Sequence, residues 1–292
     1  MANLKEIRSR ITSVNSTRQI TAAMKMVSAA KLRKAQDAIT QMRPYAQKLQ
    51  EILQNLSSSL DVSENPYAAE REVKRILIVS ITSNRGLCGA FNNNVIKQAK
   101  NIIAQNPNAR IQVLSIGKKS FDVFKKSDYV TGAGYPVEPY KIYEDLNFNN
   151  ASVIAQSVMD KFEEGKVDKV YLVYNSFKNA AVQILETEQF LPIVPPTAKK
   201  EESTSQIDYI FEPNKEEIVT ELIPKSLKTQ FYKAILDSNA GEHGARMTAM
   251  HKATDNASEM LKDLKLTYNK ARQAAITNEI LEIVAGADAL SS

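Results

Sequence analysis

From Leu4 onward, apolar residues recur in steps of mostly three and four: Leu4, Ile7, Ile11 and Val14, then Ile20, Met24 and Val27, and later Ala35, Ala38, Met42, Tyr45, Leu49, Ile52 and Leu56. That is the narrow seam of a coiled coil. It predicts a helix of about 53 residues, roughly 80 Å long. A chain of 292 residues can build one sizeable core with extensions, but such a core does not enclose a helix of that length. Pro44 falls inside the pattern, removes one backbone donor and is expected to bend the helix.

The other end of the chain mirrors the first. Asn214 and Glu217 have the spacing of a capping box, and the helix they open is predicted to run to about Ala289, with an early bend at Pro224. Its seam reads Met250, Ala253, Ala257, Met260, Leu264, Tyr268, Ala271 and Ala275, small enough in places for close approach of a partner. Gly241 and Gly244 each disfavour helix by about 1 kcal/mol relative to alanine, so a soft spot is expected there.

Between the ends, Arg75–Thr82, Ile111–Ile116 and Val170–Tyr174 read as strands, and residues 92–104 and 151–164 as helices; Ala180–Phe190 resembles a further strand ending at Pro192. This alternation predicts a doubly wound, mainly parallel α/β domain. The expected organisation is an N-terminal coiled-coil helix (1–60), a central α/β domain (72–195), a polar linker segment (196–213) and a C-terminal coiled-coil helix (214–290). Both terminal helices leave the same domain, so they must run antiparallel to pair. With Leu60 near residue 210, Leu4 meets roughly residue 266, and the C-terminal helix outruns its partner by about 20 residues. The overhang carries Ile276, Ile280, Leu281, Ile283, Val284, Ala287 and Leu290, an apolar surface around most of the helix that another protein has to enclose.

Charge is unevenly placed. The net charge of +5 hides an N-terminal segment, residues 1–60, with ten Lys/Arg against three acids. Such asymmetry points to an acidic partner. The cluster Lys25, Lys31, Arg33 and Lys34 has no interleaved aromatics, which favours acidic loops of a protein over nucleic acid. No run reaches the roughly 18 apolar residues of a membrane span, and the single cysteine, Cys88, suits a reducing compartment.

Nucleotide and metal chemistry find weak support. Gly117-Lys118-Lys119-Ser120 lacks the upstream glycine of a P-loop, Arg85-Gly86-Leu87-Cys88-Gly89 lacks the G-x-G-x-x-G spacing, and Gly132-Ala133-Gly134 opens no helix. His243 and His251 are not at a chelating spacing. Cys88 reads as a small buried residue. Two other classes stay open beside a mechanical role: a nucleotide-dependent enzyme using the α/β domain, and a basic coiled-coil nucleic-acid binder.

The segment Ile276-Thr277-Asn278-Glu279, Glu282, Gly286-Ala287-Asp288-Ala289 resembles the signature of the gamma subunits of bacterial F-type ATP synthases. Ile20–Gln36, Arg85–Gly89 and Ala245–Asn256 resemble further motifs of that family, and the likeness spans essentially the whole chain. The resemblance implies a central rotor shaft with a Rossmann-like domain and no catalytic site or cofactor of its own. ATP, ADP and Mg would be bound by three alpha and three beta subunits around the coil, with epsilon and the membrane c-ring below. It further implies one copy per complex, no nucleic acid, no membrane insertion, and a peripheral position on the cytoplasmic face of the bacterial plasma membrane. Residue by residue, it places Met24, Lys31, Arg33, Lys34 and Arg246 at the lever loops of beta, and Arg272 and Gln273 at a beta loop. Ile276, Thr277, Glu279, Ile280 and Val284 would lie in an upper bearing, and Tyr209, Phe211 and Glu212 in the foot at the c-ring. Coupling ion, c-ring size, working direction and regulation by epsilon belong to other subunits.

Overall fold

The structure, a computed structural model, describes residues 4–57, 66–69, 71–132, 134–193 and 215–291. In chain order the elements are α1 (Leu4–Ser57), β1 (Arg75–Ile81), α2 (Phe91–Gln105), β2 (Arg110–Ile116), α3 (Lys118–Phe124), α4 (Phe148–Glu163), β3 (Lys169–Phe177), β4 (Gln183–Leu191) and α5 (Lys215–Ser291), with short 3-10 turns at Pro66–Ala68 and Pro139–Glu144. The long terminal helices and the central, mainly parallel sheet agree with the fold class read from the sequence. Helix α1 is assigned through Pro44 and α5 through Pro224, Gly241 and Gly244, each without a break. Asn214 and the linker and foot segment 196–213 lie outside the described residues.

The chain divides into two compact units, Met1–Ala29 with Arg246–Ser292, and Ala30–Ala245. In the first, α1 and α5 run antiparallel. Thr254 donates to the Thr21 hydroxyl at 2.8 Å, and Lys25 Nζ lies 3.2 Å from His251 Nδ1. These pairs shift the expected register by about five residues: Leu4 falls opposite Ala271, and both are half-buried. The seam also differs from its apolar reading. Ile20 (60% exposed), Val27 (57%) and Met260 (50%) face outward, while Thr21, Ser28 and Leu261 are buried. Counting by sevens from Ile7 gives Val14, Thr21 and Ser28, so strict heptad geometry decided the buried face and hydrophobicity did not.

In the second unit the sheet order is β2-β1-β3-β4, with β1 parallel to β2 and β3, and β4 antiparallel to β3. Strand side chains alternate between two faces. Leu77, Val79 and Ile81 join Leu172, the inner face of α4 (Ile154, Ala155, Val158, Phe162) and Leu227, Phe231 and Ile235 of α5. Ile76, Ile78, Ile111 and Val113 join Val95, Ala99 and Ile102 of α2 and Phe124 of α3. Helices therefore cover both faces, the doubly wound arrangement. Each fully buried Phe here, such as Phe162 and Phe231, contributes about 1.5–3 kcal/mol relative to exposure. Helix α4 is capped by Asn147, whose side chain accepts from the Asn150 amide at 2.8 Å. Helix α3 was not anticipated from the sequence.

At the amino edge of the sheet, Asp168 is buried and bound on every side. It accepts from the backbone amides of Lys74 (3.0 Å) and Arg75 (2.8 Å), and from Arg75 Nε (3.3 Å) and a terminal Arg75 nitrogen (3.0 Å).

The two helix glycines are sites of close contact. A Cβ at Gly241 would sit 3.3 Å from the Asn175 carbonyl oxygen and from the Phe91 ring, and one at Gly244 would sit 3.1 Å from the Ala180 carbonyl oxygen. They let the α5 backbone lie directly on the β3–β4 edge. Gly286 has nothing within 4 Å of its would-be Cβ. Gly286→Ala is therefore expected to stabilise α5 by up to about 1 kcal/mol, whereas Gly244→Ala is expected to destabilise the protein by about 1–2 kcal/mol. Urea midpoints followed by helical circular dichroism would show the opposite signs.

Candidate partner-binding surfaces

Beyond Ala271, helix α5 has passed Leu4, the first described residue of α1. Every residue from Arg272 to Ala287 is exposed. Five large apolar side chains lie in that stretch: Ile276, Ile280, Leu281, Ile283 and Val284, between 48% and 66% exposed. At about 100° per residue, Ile276, Ile280, Ile283 and Val284 share an arc of about 100°, Leu281 stands about 60° beyond it, and Glu279 and Glu282 flank its other side. The apolar surface is thus a stripe, narrower than the all-round surface expected from composition. Arg272, Gln273, Thr277 and Glu279 are exposed on the same tip, with the Thr277 hydroxyl donating back to the Gln273 carbonyl at 2.9 Å. A stripe of this kind in water marks a surface made for a partner.

The basic residues divide between the units. In the first, Met24 and Lys25 are half-buried and Arg246 is buried at 8% exposure, so much of Arg246 is already covered by its own chain. In the second, Lys31, Arg33 and Lys34 are exposed. Tyr209, Phe211 and Glu212 lie outside the described residues.

An α/β sheet of this topology takes ligands at the carboxyl ends of its strands, where the order reverses between β1 and β3. Here that place is filled. Ser83 at the end of β1 donates from its amide to Asn92 Oδ1 (2.9 Å) and from its hydroxyl to the Arg85 carbonyl (2.6 Å); Asn92 Nδ2 reaches Ser83 Oγ (2.9 Å) and Cys88 Sγ (3.1 Å). Asn175 of β3 donates to the Phe91 carbonyl at 2.9 Å. The Gly241 backbone of α5 rests against Asn175 and Phe91. The polar groups bind one another, and a helix of the same chain occupies the crevice. Cys88 is buried, as its sequence context suggested. Among the described residues no group of three or more His, Cys, Asp or Glu could hold a metal ion, and no helix is long and apolar enough to cross a membrane.

The profile of a family described as ATP synthase matches residues 3–290. An ATP synthase gamma chain of Flavobacterium johnsoniae is 63% identical over 292 residues, covering all of both chains. The chain belongs to the ATP synthase gamma-chain family. A second relative, the ATP synthase gamma chain of Christiangramia forsetii, is 60% identical with both chains fully covered. Among solved structures, a chain of the Euglena gracilis mitochondrial ATP synthase in rotational state 3 aligns with a TM-score of 0.65 at 22% identity, over 98% of this chain and 94% of that one. A chain from the central stalk and c-ring of the Tetrahymena thermophila enzyme aligns with a TM-score of 0.55 at 24% identity, over 80% of this chain and 99% of that one. At these identities the structural likeness concerns the fold: two long terminal helices and a central sheet.

The sequence missed the polar seam, Thr21, Ser28 and Thr254, because apolar character was followed where spacing was the better guide. It also missed a cluster of cations at the amino edge of the sheet, since Arg75, Arg110, Lys161 and Lys166 have no common sequence signature: strand register pairs the first two, and the end of α4 and the turn after it bring the others.

Proposed function

We propose that this gamma-family chain is the rotating central shaft of an F-type ATP synthase, coupling proton or sodium flow through the membrane sector to ATP synthesis or hydrolysis at the beta subunits. One observation carries the reading: the partnerless apolar stripe on Arg272–Ala287, which a ring of three alpha and three beta subunits would enclose. Ile276, Thr277, Ile280 and Val284 are its bearing surface, with Glu279 at the margin and Arg272 and Gln273 at a beta loop. Met24, Lys31, Arg33, Lys34 and Arg246 are contacts for acidic lever loops of beta. Tyr209, Phe211 and Glu212 form the foot on the c-ring beside epsilon, one copy per complex, at the cytoplasmic face of the bacterial plasma membrane. Nucleotides and Mg stay with the alpha and beta subunits.

Because water on an enclosed stripe is unfavourable, charging it should loosen the bearing. The triple variant Ile276→Asp, Ile280→Asp, Val284→Asp is expected to weaken assembly with alpha and beta subunits more than about tenfold, a change of ~1.4 kcal/mol or more, and to lower ATP-driven ion pumping per ATP hydrolysed. Removal of residues 272–292 should act in the same direction. Normal assembly and coupling in both would refute the bearing role.

A further inference from the structure

A pocket of about 240 Å³ opens at the amino edge of the sheet, lined by Arg75, Arg110, Gln112, Tyr135, Lys161 and Lys166 among others. It lies within the second unit, remote in sequence from every surface assigned above. Strand register creates it: Arg75 and Arg110 are direct partners on the parallel strands β1 and β2, placing two guanidinium stems on backbones about 4.8 Å apart. Like charges so placed repel unless something negative lies between them.

The chain's own carboxylates compensate only in part. Asp168 binds Arg75 and turns its remaining lone pairs to backbone amides. Glu164 is shared by Lys161 (3.1 Å) and Lys166 (2.7 Å). Neither acid lines the pocket, and Arg110 has no ion pair among the described residues. Four cations therefore face the space with two acids behind them. Lys161 is held in place: its side chain is only 15% exposed, and Gly134, at φ 97°, lies so close that a Cβ there would fall 2.6 Å from Lys161 Cε.

Tyr135 supplies a second, independent sign of a missing ligand. Its hydroxyl is buried in the pocket wall without a hydrogen-bond partner. Burial, reinforced by the charge of Glu164, pushes its pKa up to about 12, so the group is a donor at neutral pH. Buried donors are normally paired, and Tyr135 is one of the residues that line the pocket.

We propose that this pocket binds the phosphoryl groups of an anionic ligand, gripped by Arg110, Lys161 and Lys166 and oriented by the Tyr135 hydroxyl. The chemistry fits: oxygen acceptors with more than one negative charge, met by charge-assisted donors on several sides. Volume sets an upper bound. Drug-sized ligands take about 300–1,000 Å³, so the space suits one or two phosphoryl groups and not a whole nucleotide. Such groups can come from a free phosphate compound or from a phospholipid headgroup.

The test uses the full chain at an ionic strength of about 0.15 M, where non-specific surface attraction is screened. In one arm, sodium pyrophosphate is titrated calorimetrically. In the other, the chain is floated with phosphatidylcholine vesicles with and without phosphatidylglycerol. Arg110→Gln should weaken binding at least about tenfold and Tyr135→Phe about threefold. Lys100→Gln, an exposed lysine on α2 away from the pocket, should leave it within about twofold. Both key substitutions keep the strands' backbone bonds, and unchanged circular dichroism would confirm folding. Saturable pyrophosphate binding with this pattern identifies a free-anion site; vesicle binding alone with the same pattern identifies a headgroup site. Absence of binding in both arms, or equal losses for Arg110→Gln and Lys100→Gln, overturns the proposal.

Discussion

Gly117→Ala is expected to remove about 4 kcal/mol of stability or to prevent folding, the largest effect among the glycines of this chain. Gly117 sits at φ 120°, and a Cβ there would lie 2.0 Å from the Thr82 carbonyl oxygen and 2.5 Å from its carbon. Backbone strain at such a φ amounts to about 1–3 kcal/mol for a side-chain-bearing residue; the collision is with backbone, which no rotamer can move aside. Relief would pull the end of β1 from β2 and α3 and break the bonds that join them: Thr82 amide to Ile116 carbonyl of β2 (2.7 Å), and, to α3, Lys119 amide to Ser83 carbonyl (3.1 Å) and Ser120 amide to Thr82 Oγ1 (3.0 Å). Urea unfolding of the purified variant measures this. A loss below about 1 kcal/mol would show that the turn yields. Gly89, at φ 60° with open space around its would-be Cβ, offers a milder comparison, and Gly89→Ala should cost about 1–2 kcal/mol.

The second large effect concerns Asp168. Asp168→Asn is expected to lower stability at pH 7 by about 2–3 kcal/mol, because the amide group presents donors to donors. The figure is kept below that of a fully buried pair since the Arg75 side chain is 44% exposed. Burial pushes the carboxyl pKa upward, but hydrogen bonds from the Arg75 side chain and from the Lys74 and Arg75 amides, with the Arg75 charge, outweigh it, and the folded pKa lies below the ordinary value of 3.8. A depressed folded pKa means that the contribution is fully present above the unfolded pKa and disappears as pH falls through the folded one. Wild type and Asp168→Asn should therefore differ at pH 7 and converge in strong acid. Parallel curves down to about pH 2 would exclude this linkage.

The sequence carried the architecture because that architecture rests on periodicity. The strands at Ile76–Ile81, Ile111–Ile116 and Val170–Tyr174 are apolar runs buried on both faces, and nothing else of that length reads the same way. The overhang of α5 was legible as well, since antiparallel pairing of unequal helices leaves the longer one bare. Its starting point was not, because register depends on which side chains touch. The Thr21–Thr254 and Lys25–His251 contacts fix it. The packing role of Gly241 and Gly244 was hidden for a related reason: helix propensity is local, and their contacts lie against Asn175 and Ala180, some 65 residues away in the chain. The cation pocket was invisible because it exists only once β1 and β2 align Arg75 with Arg110.

The Thr21–Thr254 hydrogen bond bears on how a two-stranded shaft behaves under load. Torque shears one strand along the other, and a uniformly greasy heptad seam offers the same fit after a slip of one repeat, about 10 Å. Polar seam residues remove that equivalence. Where Thr21 and Ser28 replace aliphatic knobs, little adhesion is gained, but a slipped strand would leave Thr254 without Thr21 and Lys25 without His251. The seam thus has the make-up of a detent: weaker glue than leucine, yet with a single indexed position at which Thr21 meets Thr254.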